Sequence, residues 1–403
     1  MKVAVLGAGF SGMLAAYLLE KKGMEVTVYE KQSSIGGHCE TLVLKNGYTE
    51  LGTVFSFSKQ IKELLIELKV EYTERFSYRN FLDENFTSVE HMSRNEVDIL
   101  MNELAKLKEI LSTYSESLDG VNYGYIHEDL MVTLSEFLDK HELKMVCQVI
   151  APHLSSYGFG NIKEIQAYYA FKVFNMDTIY SFILGDKLLF INKGTSELIK
   201  KLSQNISDIR YSLEVKNVEV VGDQVKVETL YGSDFFDKVL ITTKLPRDVI
   251  KDDLYNQLMK RIDTNPYITC AYEVNNKKLV TTYYKANLGH LNKLQFFYAS
   301  RQNHRTTLVT YAYGKVGNEL INEITRDLIK SHIDVKHLIT AKQWYIFPHL
   351  NKANLTQTFY KDIHDRQKVS NICLIGSLVT KPELGSLYES VKNTIMDITI
   401  VSK

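Results

Sequence analysis

Cysteine is scarce in this chain of 403 residues: Cys39, Cys147, Cys270 and Cys373 are its four, all far apart. They form no C-x-x-C and no zinc spacing, which excludes a disulfide framework and reads as reduced thiols in a cytoplasmic protein. Net charge is missing too. Lys plus Arg and Asp plus Glu both number 48, so nothing favours a polyanionic partner and nucleic acid is not expected to bind. Beyond the N-terminus no run approaches the roughly 18 apolar residues of a membrane span. There are no internal repeats, no low-complexity linkers, no Ser-His-Asp order, no metal box and no Walker loop. Aromatics, by contrast, are plentiful. The 25 Tyr and 18 Phe suit a cavity lining as well as a core. A chain of this length is expected to form two domains.

The N-terminus carries the strongest signal. Lys2 to Leu6 reads as a short buried strand, and Gly7, Gly9 and Gly12 follow as G-x-G-x-x-G. Met13 to Lys22 has helical composition, Gly23 suits a C-cap, and a second strand, Glu25 to Tyr29, ends on Glu30. The uncharged run Val3 to Leu19 imitates a secretory signal, but the glycine spacing and the acid-ended strand account for it better. Gly7 permits a tight turn, Gly9 lets a pyrophosphate approach, and Gly12 lets helix and strand pack closely. The helix start offers free N–H groups to phosphates, and Glu30 can accept from both ribose hydroxyls. In this full context the pattern predicts a dinucleotide site. Gly36-Gly37 adds a second phosphate-site signal, with backbone N–H groups open to an anion. Asn46-Gly47 marks a hairpin turn after Thr41-Leu-Val-Leu, and Tyr48 to Gly52 returns as Y-T-E-L-G.

The N-terminal fingerprint, the acid ending the second strand, G-G-x-x-x-T and then acid-x-Gly together resemble the FAD-binding proteins of the amine oxidase and protoporphyrinogen oxidase superfamily. The resemblance covers nearly the whole chain and is strongest at its two ends. It implies an α/β protein: a Rossmann-like FAD-binding domain of the two-dinucleotide-binding type, with an interleaved α+β substrate domain. The expected division is 1–75, 190–250 and 345–403 for FAD, and 76–189 with 251–344 for substrate. The implied cofactor is FAD, held non-covalently by Gly7, Gly9, Phe10, Ser11, Gly12, Glu30, Lys31, Gly36, Gly37 and His38. Further along come Val215, Gly376, Ser377, Tyr388, Glu389 and Ser390. Two positions depart from the family pattern: His38 stands where Arg is usual after the doublet, and Ser377 where an acid usually follows Gly376. Val215 and Val218 have the spacing with which the family grips adenine, although the stretch alone also fits a plain β-meander. The C-terminal strand Asn371 to Ser377 and a helix beginning near Tyr388 are expected against the flavin, the helix dipole facing its N1 and C2 carbonyl.

Between these ends, Ser58 to Leu68 and Asn95 to Leu118 read as helices, the latter with apolar Val97, Leu100, Met101, Leu104, Leu107, Ile110 and Leu111. Leu134 to Phe174 is mainly helical, broken at Ser155 to Gly160. A helix starts near Asn192, with Thr195 or Ser196 as its cap. Antiparallel strands follow from Tyr267 to Tyr313, with another from Thr340 to Phe347. Trp344 to His349, Ser155 to Gly160 and the C-terminal G-S-L-V-x-x-P-E-L resemble one branch of the superfamily, that of bacterial fatty-acid double-bond isomerases. The implied activity is hydride transfer between a small apolar or aromatic substrate and flavin N5, with oxidase, dehydrogenase and redox-neutral isomerase all open. An amine oxidase and a flavin-binding scaffold or sensor are the alternatives. Catalytic candidates are His349 and Tyr388, with His153 considered beside them, and each histidine reads more readily as a core or surface imidazole with a local partner. Lys193 and Lys244 could supply an amine near flavin N5, but neither sits in a specific motif and neither is assigned that role. The roof over the ring is expected from Tyr157 to Phe171 and Leu294 to Tyr313.

Overall fold

The structure, a computed structural model, describes residues 1–401 except 46, 57, 58, 91 and 186. Asn46 of the expected hairpin turn and Ser58 at the expected helix start lie outside the described residues. The strands Thr41–Leu44 and Gly47–Glu50 do pair antiparallel, and a helix is present at Ile61–Glu67.

Val3, Ala4 and Val5 are fully buried, so Lys2–Leu6 is apolar without alternation, as a strand covered on both faces must be. It lies in the middle of a five-stranded parallel sheet. Glu25–Tyr29 and then Asp208–Arg210 lie on one side, Lys238–Ile241 and then Ile372–Leu374 on the other. The direction of strand addition reverses at Lys2–Leu6, and the crevice beyond the carboxyl ends of strands at such a point is where α/β sheets bind ligands. Gly7 (φ +104°) leaves the strand, and the helix Phe10–Glu20 starts directly after Gly9. A Cβ at Gly12 would lie 1.9 Å from the Gly7 carbonyl oxygen, so turn and helix touch through bare backbone. Gly23 sits past the helix end rather than at its cap, which is Lys21.

A three-stranded meander, Val215–Val221, Gln224–Thr229 and Gly232–Phe236, is inserted before Lys238–Ile241. The second large sheet has six strands, in the order Val335–Leu350, Ile262–Val274, Arg305–Tyr313, Leu294–Gln302, Thr281–Tyr284, Arg79–Leu82. Its side chains alternate between two covers. Ile268, Cys270, Tyr272, Leu308 and Ala312 pack with Leu320, Ile324 and Leu328 of the helix Asn318–Lys330. Tyr267, Ala271, Val309, Tyr311 and Tyr313 form a separate cluster with Phe296 and Trp344 on the opposite face. Val335–Leu350 runs on past residue 344, so the expected division there falls within one strand.

The expected long helix Asn95 to Leu118 is two helices, Arg94–Ser112 and Ser115–Leu118. A Ser93/Glu96 capping box starts the first. Its buried stripe is narrower than its apolar content: Leu100, Leu104, Leu107 and Leu111 face inward, while Val97 and Met101 are exposed. The helix Lys144–Leu154 ends in a turn at Ser155–Phe159 that docks on the sheet. There Tyr313 Oη donates to the Ser155 carbonyl (2.5 Å), Tyr267 Oη to the Ser156 carbonyl, and Asn265 Nδ2 to the Gly158 carbonyl (2.8 Å).

Candidate functional site

One cavity of about 1740 Å³ joins the two sheets. Drug-sized pockets run to roughly 300–1,000 Å³, so this one has room for a dinucleotide and a substrate together. At one end lie Leu6, Gly7, Gly9, Phe10, Ser11 and Glu30, at the crevice of the parallel sheet. The helix Phe10–Glu20 has no side-chain cap, so the N–H groups of its first turn are free to meet an anion. Gly36 anchors the doublet by donating its N–H to the Ala8 carbonyl (2.9 Å), while Gly37 lines the cavity beside Gly9. Glu30 is buried. Its Oε2 accepts from the Ala8 N–H and its Oε1 from the Gln32 N–H, both at 2.8 Å. These bonds aim the carboxylate and leave lone pairs on each oxygen for further donors.

The other end is aromatic. Tyr157, Tyr267, Phe296, Tyr311 and Trp344 line it, with Phe296 stacked on Tyr311 at 4.4 Å between centroids. Burial pushes the phenols of Tyr157, Tyr267 and Tyr311 above their ordinary pKa, so they stay neutral. Trp344 Nε1 donates to Thr269 Oγ1 at 3.0 Å. His38 also faces the cavity, edge-on to Trp344 at 5.5 Å. Desolvation lowers its pKa, against a hydrogen bond with the Tyr345 backbone, while the side chain stays open to the cavity.

The expected site residues divide between cavity and core. Gly7, Gly9, Phe10, Ser11, Glu30, Lys31, Gly37, His38, Val215, Ser377 and Glu389 line the cavity. Gly12, Gly36 and Gly376 shape the backbone behind it. Tyr388 and Ser390 need correction. The C-terminal helix is Leu384–Val401, starting a turn earlier than expected because Glu383 accepts from the Ser386 N–H (2.9 Å). Leu384, Ser386 and Leu387 therefore face the cavity. Tyr388 turns to Glu63, and Ser390 bonds Asn122 and Thr380. His349 is not in the lining either. It stacks on Phe347 at 4.5 Å with Nδ1 against the Phe347 carbonyl, and burial lowers its pKa. His153 sits behind the wall against Phe182, held well below its ordinary pKa by burial and by Arg79. Lys193 is exposed and away from the cavity; Lys244 lines it, its Nζ donating to the Ile262 carbonyl (2.6 Å). Lys342 and Lys381 are lining residues that sequence reasoning did not assign to the site.

A model of the family of flavin-containing amine oxidoreductases matches residues 10–337, more than half of the chain. The chain belongs to this family. The flavin-containing amine oxidoreductase fold is seen in solved relatives. The CLA-producing fatty acid isomerase from P. acnes has a TM-score of 0.87 at 20% identity, over 98% of this chain and 97% of that one. Cyclohexylamine oxidase from Brevibacterium oxydans has 0.77 at 15% identity, over 99% of each. At such identities the likeness shows the fold alone. Among curated proteins, 4,4'-diapophytoene desaturase (4,4'-diaponeurosporene-forming) of Staphylococcus aureus is 29% identical over 146 residues, 36% of this chain and only 26% of that enzyme. The family is one of flavin-containing oxidoreductases, and the uncapped helix start and the wide cavity fit such a cofactor. No helix among the described residues is long and apolar enough to cross a membrane.

A buried carboxylate of this flavoprotein ties the hairpin Thr41–Glu50 to the start of the helix Thr195–Ser203 and, through its backbone, to the six-stranded sheet. The cap expected of Thr195 or Ser196 is made by Glu50 instead, which accepts from Thr195 N–H (2.6 Å), Thr195 Oγ1 (3.0 Å) and Thr41 Oγ1 (2.8 Å). Tyr298 holds its backbone, accepting from the Glu50 N–H and donating to the Glu50 carbonyl. Burial pushes the Glu50 carboxyl up to about 7 from 4.5, against those hydrogen bonds. The folded state thus holds a proton that the unfolded chain releases, and stability falls as pH rises from 4.5 towards 7, then levels. Glu50→Gln removes this slope. Its stability should decline less than wild type between pH 5 and 7.5, by up to about 3 kcal/mol, in urea titrations at each pH. Parallel pH profiles for the two proteins would refute the assignment.

Proposed function

We propose that the protein binds one FAD per chain non-covalently and transfers hydride between a C–H bond of an apolar or aromatic substrate and the flavin. The observation that carries this is the composition of the aromatic end. Its described residues are mainly neutral phenols, Phe, Trp and Thr, with His38 and a single ion pair, Lys342–Glu40, beside Trp344. Such a wall offers burial, worth roughly 25 cal/mol per Å² of apolar area, and no side-chain acid–base work. Hydride abstraction from carbon needs none. Return of the same hydride to a neighbouring carbon would make the reaction a redox-neutral double-bond isomerisation, the reading we favour over amine oxidation.

In this reading Glu30 accepts from the ribose, and Gly9, Phe10, Ser11 and Gly37 offer backbone to the pyrophosphate. Val215 flanks the adenine, and Ser377 with the start of the helix Leu384–Val401 faces the ring system. When bound, the flavin supplies reversible two-electron chemistry. The chain's own share is to position the substrate between Tyr157, Phe296, Tyr311 and Trp344 and to exclude water. The interleaved division into FAD-binding and substrate segments stands with this proposal, with the last boundary moved beyond Leu350.

The test is anaerobic incubation of the purified yellow protein with unsaturated apolar compounds, followed by air. Isomerised product without lasting bleaching is expected. Bleaching that recovers in air identifies an oxidase, and faster reduction by small polar amines than by any apolar compound would overturn the reading. Acid precipitation should release all the flavin as FAD into the supernatant, because Cys147, Cys270 and Cys373 do not line the cavity and Cys39 does so beside the Gly36-Gly37 doublet. Flavin retained in the pellet would point to Cys39 or His38.

A further inference from the structure

Part of the cavity wall comes from the helical half of the molecule. Leu111, Leu118, Val121, Phe171 and Val173 line it there, together with Lys381 from the opposite end of the chain. Lys381 is fixed in that place by its backbone. Tyr123 N–H donates to the Val379 carbonyl (2.8 Å), Lys381 N–H to the Val121 carbonyl (3.4 Å), and Thr380 bridges Asn122 between them.

The ammonium of Lys381 is unlike the other lysines of the lining. Lys342 pairs with Glu40, Lys244 is bonded to the Ile262 carbonyl, and Lys31, Lys59 and Lys108 are exposed. Lys381 is largely buried, and among the described residues its Nζ has no hydrogen bond and no ion pair. A second cation, Lys172, lies close enough for the two ammonium groups to repel. That side chain is 2% exposed and donates to the Asp119 carbonyl at 2.8 Å and the Gly120 carbonyl at 3.3 Å. Asp177, Glu383 and Glu389 are near enough to be felt, yet none pairs with Lys381, and burial still lowers its pKa. The ammonium remains open to the cavity, so an incoming anion can reach it, and the apolar wall strengthens the contact. The neighbouring carboxylates disfavour a dianion such as phosphate more than a monoanion.

We propose that Lys381 is a substrate-recognition residue that seats the carboxylate of an otherwise apolar substrate, whose body lies along Leu118, Val121, Phe171 and Val173. This rests on the reading of the cavity as a hydride-transfer site.

The test is calorimetric titration of the flavin-loaded protein with decanoate and with decan-1-ol, a charged and a neutral probe of one length. Decanoate should bind about tenfold tighter than decanol or better. Lys381→Met should lose about tenfold of the decanoate affinity while leaving decanol unchanged, and Lys381→Arg should restore it. Lys381→Gln serves if the Met variant fails to fold. Equal decanoate affinity in wild type and the Met or Gln variant, or no binding of decanoate by wild type, would overturn the proposal. Flavin content is read separately from the visible absorption of the same samples. A colourless protein that still binds decanoate through Lys381 would refute the hydride-transfer reading and leave this site intact.

Discussion

Glu30→Ala should weaken FAD binding by about 2–4 kcal/mol, roughly 30- to 1,000-fold, when the apoprotein is titrated with FAD by fluorescence quenching. Two losses contribute. The ribose hydroxyls lose a charged acceptor, and the N–H groups of Ala8 and Gln32, which bond Glu30 at 2.8 Å, lose theirs as well. Glu30→Gln separates the two, because an amide oxygen still accepts from one of those N–H groups without the charge. Glu30→Arg should do worst, placing a guanidinium with no acceptor against the ribose. Unchanged affinity in Glu30→Ala would mean that the adenosine lies elsewhere in the cavity.

Gly12→Val should abolish flavin retention and cost at least about 3 kcal/mol of stability in urea unfolding. Any Cβ at this position would lie 1.9 Å from the Gly7 carbonyl oxygen and 3.1 Å from the Gly7 carbonyl carbon. Both are backbone atoms of a turn already constrained by Gly7 at φ +104° and by Thr242, whose Oγ1 donates to the Leu6 carbonyl at 2.9 Å. The clash therefore separates helix from strand, and the helix start moves away from the crevice. Gly124→Ala is the control. A Cβ there meets nothing within 4 Å, and its stability should stay within about 0.5 kcal/mol of wild type. A Gly12→Val protein that purifies yellow with normal stability would sink the close-packing argument.

How much of this was legible beforehand depended on how local each feature is. The strand, glycine turn, helix and second strand at the N-terminus follow one another within thirty or so residues, and each glycine has a steric reason readable from spacing alone. Elements whose partners are distant were read less well. The cap of the helix Thr195–Ser203 comes from Glu50, across the hairpin Thr41–Glu50, so the local Thr and Ser were the wrong candidates. The start of the C-terminal helix was placed a turn late because Tyr388 looked like an entrance, whereas Glu383 caps it; an acid three residues before Ser386 was the available signal. His349 was expected near the flavin from its place after Pro348. Trp344 and Ile346 pack in the aromatic cluster, so counting by twos along the strand puts residue 349 on the opposite side, and its ring stacks on Phe347.

By itself the sequence determined the dinucleotide crevice, the family resemblance and the kind of lining to expect, because these depend on residue types at short spacing. Only the tertiary structure decided which aromatics meet. Tyr267 faces Trp344 on one neighbour and Tyr313 on the other, and Phe296 faces Tyr311, through registers between strands that no local pattern specifies. A shift of one residue would have turned each of these side chains to the helix-covered face. The same holds for Lys381, whose unpaired ammonium reaches the cavity because residues 379–381 pair with 121–123, a contact between segments far apart in the chain.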